Sequence, residues 1–541
     1  MKSIVEGRRL AKVQIIDRPR RWDEPFAAKR IPMEAVARIM ALPVFASIDR
    51  REFPDDLQPG DIIANDCRVL TFNAGENIYA AGIYQTSLFV VLNGAVRMQV
   101  EAVQNAGAVE GASAESWIRR AFHKGQRGLK KLDWKRDVGV PSTDLLKQND
   151  IFGEIEAFTR TRRQATAVAA ERTAVLEIRW PGARELLHWS DAFRRRVEDL
   201  YQRHSVEIAL RQSALFQGVE DDLLRGIAGQ CFFERHGGFG WTHVFQRQKA
   251  EKPNGHQPLD HEPVIVEQGQ YLEDLFLLRS GFARIINKSE QTEQTVGFLK
   301  AGETLGIAEI GESMRTGGPA LASCGLRAVG YADIVRIPAH FVEDRVLLSL
   351  AQTSNGQFPH SDHLAYQGRA QLDFVLNNRL INGTRAMMVD TTRCVNCDDC
   401  VRACAATHDN IPRFNRQGFS HGKFTIANAC MHCADPVCLV DCPTGAITRD
   451  GETGNVLIDE KTCIGCATCE SACPYNNIRM IDAQNASGQL LVDKDGTHIR
   501  TAAKCDLCTG RSGGPACVRA CPHNAISRVD LRELQTLAKW H

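Results

Sequence analysis

Sixteen of the nineteen cysteines in this 541-residue chain lie between Cys394 and Cys521, and their spacing sets the chemistry. They form four runs: Cys394-x2-Cys397-x2-Cys400-x3-Cys404, Cys430-x2-Cys433-x4-Cys438-x3-Cys442, Cys463-x2-Cys466-x2-Cys469-x3-Cys473, and Cys505-x2-Cys508-x8-Cys517-x3-Cys521. Proline follows the last cysteine of the second, third and fourth runs (Pro443, Pro474, Pro522), whereas Ala405 follows the first. Thiolates two residues apart on a tight loop can wrap the irons of one cube, and a fourth, three residues further on, turns away toward another cube. Four runs of four thus predict four [4Fe-4S] clusters in two linked pairs. Zinc also takes paired Cys-x2-Cys elements, but a zinc ribbon needs only two pairs and no Cys-x3-Cys-Pro tail. In a reducing compartment such a density of thiols means metal ligation far more often than disulfides.

The rest of the chain must position and serve these thiols. Small residues after the second and fourth runs, at 444–447 and 523–526, suit close packing and backbone N–H donors toward sulfur. The length implies several domains, and 43% apolar with 24% charged residues is a folded composition. Lys and Arg total 66 against 65 for Asp and Glu, so no global charge attracts nucleic acid or anionic lipid. No apolar run approaches the ~18 residues of a membrane span. Charged residues follow Arg8 and Arg9 where a secretory signal needs an apolar stretch, and a cytoplasmic location is expected.

The first 350 residues repeat. Residues 87–98 match 274–285, with Gly94 on Gly281, and residues 146–153 match 299–306. The offset falls from 187 to 153, which marks a 34-residue insertion in the first copy, at about 103–140. It is basic, with Arg119, Arg120, Lys124, Arg127, Lys130, Lys131, Lys135 and Arg136 around Trp117, Phe122 and Trp134. It either docks a partner or is a solvated helix over a local apolar patch. Each copy reads as short strands broken by Gly and Asn turns, then a charged helix such as Asp191 to Ser213. No Rossmann or Walker fingerprint occurs, so flavin, nicotinamide or ATP would sit on another chain. Cys67, Cys231 and Cys324 sit in apolar contexts and read as buried, inert thiols.

Residues 391–529 resemble the four-cluster ferredoxin-like electron-transfer subunits of molybdopterin oxidoreductases, formate dehydrogenase and hydrogenase modules. The marks are Cys430-Met-His-Cys-Ala-Asp-Pro-Val-Cys438, Cys463-Ile-Gly-Cys466, Ala472-Cys-Pro-Tyr475 and Lys504-Cys-Asp-Leu-Cys508. The resemblance implies crossed ligation. Cys394, Cys397 and Cys400 would share a cluster with Cys521, and Cys505, Cys508 and Cys517 one with Cys404. Cys430, Cys433 and Cys438 would pair with Cys473, and Cys463, Cys466 and Cys469 with Cys442. It also implies a wire rather than an active site, and no membrane anchor is expected after Ser527.

The stretch 152–166 resembles the phosphate-binding cassette of cyclic nucleotide-binding domains. The resemblance puts the family's Gly-Glu on Gly153 and Glu154, its phosphate arginine on Arg163 and its trailing Ala-Thr on Ala165 and Thr166. It implies cAMP or cGMP as ligand, the guanidinium pairing with the phosphate and the carboxylate with the ribose. Gln164 and Glu156 depart from the family's small residues. In the second copy Leu305-Gly306-Ile307 replaces the cassette opening and Thr316 aligns with the arginine, so this copy is expected to have lost ordinary nucleotide binding. A module that keeps the roll only for docking is the plainer alternative.

The expected architecture is multidomain α+β: an N-terminal extension (1–35), a first cyclic nucleotide-binding-like β-roll with flanking helices (36–208), a degenerate second one (209–350), a linker and helix (351–390) and a four-cluster ferredoxin-like domain (391–541). The expected function is single-electron relay to or from a separate flavin or molybdopterin catalytic subunit, regulated at the first roll, with neither a nucleic-acid partner nor a membrane span. The alternative is a redox or oxygen sensor, although a sensor needs one labile cluster and not a chain of four.

Overall fold

The structure, a computed structural model, describes residues 13–100, 145–216, 219–238, 241–251, 261–289, 293–342, 369–485 and 487–533. The insertion expected at about 103–140 and residues 351–368 of the linker lie outside the described residues. Two compact units emerge, one from residues 31–382 and the other from residues 13–30 with 383–532.

The first roll is built from two four-stranded antiparallel sheets. One runs Cys67–Phe72, Thr173–Ile178, Leu88–Asn93, Ile151–Phe152, and the other Asn77–Tyr79, Ala165–Ala169, Val96–Val100, Leu145–Leu146. Ala165–Ala169 alternates buried and half-buried residues, the period of a strand with one face on a core. That core joins Tyr79, Phe89, Val91, Val96, Leu146, Phe152 and Val175. Gly94 has φ +84°, and a Cβ there would sit 2.7 Å from the Arg172 carbonyl oxygen. Its repeat partner Gly281, also at φ +84°, would place a Cβ 2.2 Å from the Tyr331 oxygen. The glycine shared by both copies is therefore a backbone requirement.

The helix Asp191–Gln212 closes the first roll, and the Ser190 hydroxyl caps it by accepting from the Phe193 N–H at 3.4 Å. Phe193, Val197 and Tyr201, spaced by four, bury one face; each contributes about 1.5–3 kcal/mol. Its last turns place Ala209 and Leu210 in the core of the second roll, with Leu224, Ile227, Leu275, Val335 and Phe341. The second roll's main sheet runs Phe232–Gly237, Gly325–Pro338, Asp274–Lys288, Glu293–Lys300. Within the stretch 351–390 the helix is Arg369–Asn377. Buried Arg284 holds it to the second roll, donating to Asn377 Oδ1 at 3.1 Å and to Glu262 Oε2 at 2.9 Å.

The cysteine-rich unit has little regular structure. Its largest sheet runs Asn415–His421, Phe424–Asn428, Ala386–Asp390, Ile526–Val529, all antiparallel. Four short helices, Asp399–Thr407, Val437–Val440, Thr468–Ala472 and Ala516–Arg519, each begin just before the third cysteine of a run. Val13–Ile15 adds to this unit as a strand parallel to Leu490–Val492. Among the described residues, no helix is long and apolar enough to cross a membrane.

Candidate functional site

The loops between the cysteines are wound into left-handed backbone. Asn396, Asp398, His432, Ala467, Leu507 and Cys508 have φ between 48° and 64°, and Gly465 has φ 70°. For a residue with a Cβ this costs about 1–2 kcal/mol. Such winding turns successive N–H groups to the concave side, a shape suited to an anionic centre.

Thiols from different runs lie near one another. Burial, then Cys463, Cys442 and Cys466, push the Cys469 thiol up to about 12. Burial pushes Cys517 up to about 11, where Arg528 opposes it and Cys505, Cys404 and Cys508 reinforce it. Cys433 is raised by burial and by Cys430, Cys473 and Cys438. Cys400 is raised by burial, and Cys521 adds to the effect. In each case the partner from another run is the one that the crossed pattern implies. Cys442, Cys463, Cys466 and Cys469 also line one cavity of ≈ 330 Å³ with Ala446, Ile447 and Met480.

The groups are neighbours in a row. Helices Asp399–Thr407 and Ala516–Arg519 pack together and link the group of Cys400 to that of Cys404. Cys430 acts on Cys505, and Cys469 acts on Cys438. The order is the group of Cys394, then Cys505, then Cys430, then Cys463.

Donors surround the sulfurs. Backbone N–H groups of Arg413, Asn477, Ala516 and Ala525 donate to Cys404 (3.2 Å), Cys473 (3.4 Å), Cys508 (3.5 Å) and Cys521 (3.3 Å). Ala525 lies in the small-residue stretch expected to serve this purpose. Arg528 Nη2 donates to Cys505 Sγ at 3.1 Å, and Arg416 Nη1 lies 3.8 Å from Cys394 Sγ. Sequence reasoning missed both arginines, since nothing in their spacing marks them; Arg528 reaches sulfur because its strand pairs with Ala386–Asp390. Buried thiols crowded by other thiols cannot all ionise without a compensating cationic centre, and soft sulfur donors with N–H groups behind them fit iron–sulfur clusters.

The first roll's cassette is formed but inwardly satisfied. Gly153, at φ 80°, opens the helix Glu154–Thr159, and Arg160 closes it at φ 58°. Arg163 is 1% exposed. Its Nη1 donates to Glu156 Oε2 at 2.8 Å and to the Gly153 oxygen at 2.9 Å, its Nη2 donates to the Ser87 oxygen at 2.7 Å, and its guanidinium lies 4.3 Å from the Tyr79 ring centroid. Glu154 Oε1 lies 2.7 Å from His204 Nδ1 on the closing helix. Burial lowers the His204 pKa, but the Glu154 carboxylate more than offsets this and leaves it raised. Thr166 Oγ1 accepts from the Ala81 N–H at 3.0 Å. A cavity of ≈ 560 Å³ opens beside the cassette, lined by Tyr79, Met98, Val100, Leu146, Glu154, Glu156, His204 and Glu207 among others.

Burial keeps the three outlying thiols protonated: Cys67 is raised well above its ordinary value, and Cys231 and Cys324 rise to about 12.

Known proteins resemble the two units separately. Residues 422–531 match the 4Fe-4S dicluster domain family, and residues 258–346, in the second roll, match the cyclic nucleotide-binding domain family. The electron transport protein HydN of Escherichia coli K12 is 34% identical over 169 residues, covering 28% of this chain and 93% of HydN. Formate hydrogenlyase subunit 2 of the same organism is 32% identical over 179 residues, covering 29% of this chain and 86% of that subunit. AegA of Escherichia coli K12 is 32% identical over 163 residues, which are 29% of this chain and only 23% of AegA.

Proposed function

Because the chain belongs to the family of 4Fe-4S electron transport proteins that includes HydN, we propose that residues 383–532 carry four [4Fe-4S] clusters and relay single electrons to or from a separate oxidoreductase catalytic subunit of flavin or molybdopterin type. One observation supports this reading: thiols of different runs neighbour one another as crossed ligation requires, Cys400 with Cys521, Cys517 with Cys404, Cys433 with Cys473 and Cys469 with Cys442. The ligand sets are Cys394, Cys397, Cys400, Cys521; Cys404, Cys505, Cys508, Cys517; Cys430, Cys433, Cys438, Cys473; and Cys442, Cys463, Cys466, Cys469. The clusters supply one-electron chemistry, and the chain's own groups tune it. Backbone N–H groups of Arg413, Asn477 and Ala525 stabilise charge on sulfur, and Arg528 adds a full positive charge beside Cys505. Apolar residues such as Met387, Val389, Phe414 and Ala427 pack around the thiols and limit water.

The rolls regulate the relay through a small ligand held under the closing helix of the first. The resemblance of residues 152–166 to the phosphate-binding cassette makes cyclic nucleotides, cAMP or cGMP, the starting class, and Gly153, Glu154, Arg163 and Thr166 the residues nearest it. The Glu154–His204 contact is the lever by which a ligand would move that helix. A reducing, cytoplasmic location is part of the proposal, in keeping with nineteen cysteines that form no disulfide.

The test is anaerobic purification with iron and sulfide counted. About sixteen of each per chain is the expected result. A colourless protein that holds zinc overturns the proposal.

A further inference from the structure

We propose that Glu156 takes the place of a ligand phosphate in the first roll, and that the adjoining cavity binds a neutral, hydroxyl-bearing molecule such as a nucleoside rather than a cyclic nucleotide. This rests on the first roll being a ligand-binding module; the electron relay stands without it.

The cassette arginine and the N–H that follows it form a two-pronged donor set for an anion. In this chain one carboxylate already takes both prongs: Glu156 Oε2 accepts from Arg163 Nη1 at 2.8 Å, and Oε1 accepts from the Gln164 N–H at 3.1 Å. Glu156 and Arg163 are 5% and 1% exposed, so this charge pair sits where water screens it little. A phosphate would have to displace the carboxylate or lie against it, and either is unfavourable.

The second roll repeats the arrangement independently. Glu309 follows its left-handed Gly306 by three residues, as Glu156 follows Gly153. Tyr84 bridges Arg162 in the first roll and Tyr271 bridges Leu321 in the second, so the residue after each bridge, Arg163 or Ala322, is equivalent. The next residue is Gln164 in one and Ser323 in the other. Glu309 Oε1 accepts from the Ser323 N–H at 3.3 Å and from its hydroxyl at 2.6 Å. Both rolls thus aim a buried cassette glutamate at the same backbone N–H, and the second has dispensed with the arginine.

The first roll still has room beside this anion. A cavity opens there, lined by residues of the cassette and of the closing helix. Met98, Val100, Leu146 and Ile208 contribute apolar lining; the polar lining is Glu154, Glu156, Glu207, His204 and Arg211, whose guanidinium is already held by Glu207 and Asp221. A carboxylate oxygen has two lone pairs, so Glu156 can accept from ligand hydroxyls while keeping its protein donors. An apolar planar body bearing hydroxyls matches this lining; an added phosphate, facing three carboxylates and one arginine that is already paired, does not.

The experiment is calorimetric titration of the full-length, cluster-loaded chain with adenosine, guanosine, cAMP and cGMP. A nucleoside is expected to bind at least ~10-fold more tightly than its cyclic phosphate, the size of one unfavourable charge contact. Glu156→Ala frees Arg163, and cyclic nucleotide affinity should rise by at least ~10-fold. Glu309→Ala should change neither affinity, since Ala322 leaves no arginine to free. If Glu156→Ala does not fold, Glu156→Gln keeps the packing and removes the charge, and should narrow the preference. Preference of the unsubstituted chain for a cyclic nucleotide, failure of both nucleosides to bind, or an unmoved preference in the foldable Glu156 variant overturns the proposal. Cluster absorbance, recorded on the same samples, reports separately on the relay.

Discussion

The cysteine-rich unit and the first roll both present a recognisable set of ligand-binding side chains, but the two sets are left in opposite states. In the first, thiols from different runs are buried side by side, and burial with neighbouring sulfur pushes thiols such as Cys433 and Cys469 up, so the protein offers donors that only an external centre can satisfy. In the second, Arg163 is held by Glu156 and Glu154 by His204, so the side chains that would recognise a nucleotide satisfy each other. A motif therefore says which groups are present, and their partners say whether the site is open. A buried charge that is already paired has no remaining demand for a counterion.

The largest effect that could break this contrast is a loss of ligation. Cys404→Ser should remove the same spectroscopic cluster as Cys505→Ser, about a quarter of the iron, and leave the cluster of Cys400 in place. Loss of the Cys400 cluster instead, followed by electron paramagnetic resonance, would refute the crossing. Next is the pairing in the roll: Arg163→Leu strands Glu156 in the interior and should destabilise the unit by about 3–5 kcal/mol. The double variant Arg163→Leu with Glu156→Leu should recover much of that loss in denaturant unfolding, whereas an open, solvent-filled site would show little cost in either. Smaller still, Arg528→Gln removes a positive charge beside Cys505 and should lower that cluster's potential, on the order of 50 mV in a redox titration. The smallest concerns His204. Its pKa is raised in the fold, so its contribution to stability is full below the unfolded value and fades as pH rises through the raised one. Thermal unfolding of the first roll should therefore weaken across that window, and His204→Gln should flatten the profile.

Much of this was legible in the residues. The cysteine spacing marked the iron–sulfur unit because thiol chemistry depends on few residues and short loops. Gly94 and Gly281 exposed the repeat because a backbone conformation, not a surface preference, holds them. The closing helix expected at Asp191 to Ser213 is present as Asp191–Gln212, with Ser190 and Ser213 at its caps. Other features depend on tertiary placement. The three residues of Val13–Ile15 carry no period that would point to a partner 477 residues away. Thr316 aligns with the cassette arginine by sequence offset, but the longer helix Ile307–Thr316 carries it to the helix end, where its hydroxyl bonds Glu312 O at 2.8 Å, and Ala322 takes the arginine's place. Glu156 stood out as an unexpected anion, but that it grips Arg163 is visible only once strand and cassette are folded together.

The most direct test of the relay is electron paramagnetic resonance of the anaerobic chain during stepwise reduction. A row of neighbouring clusters predicts reduced signals that broaden and split as adjacent cubes gain electrons, amounting to about four spins per chain. Narrow, magnetically isolated signals from fewer centres, or none at all, would contradict it.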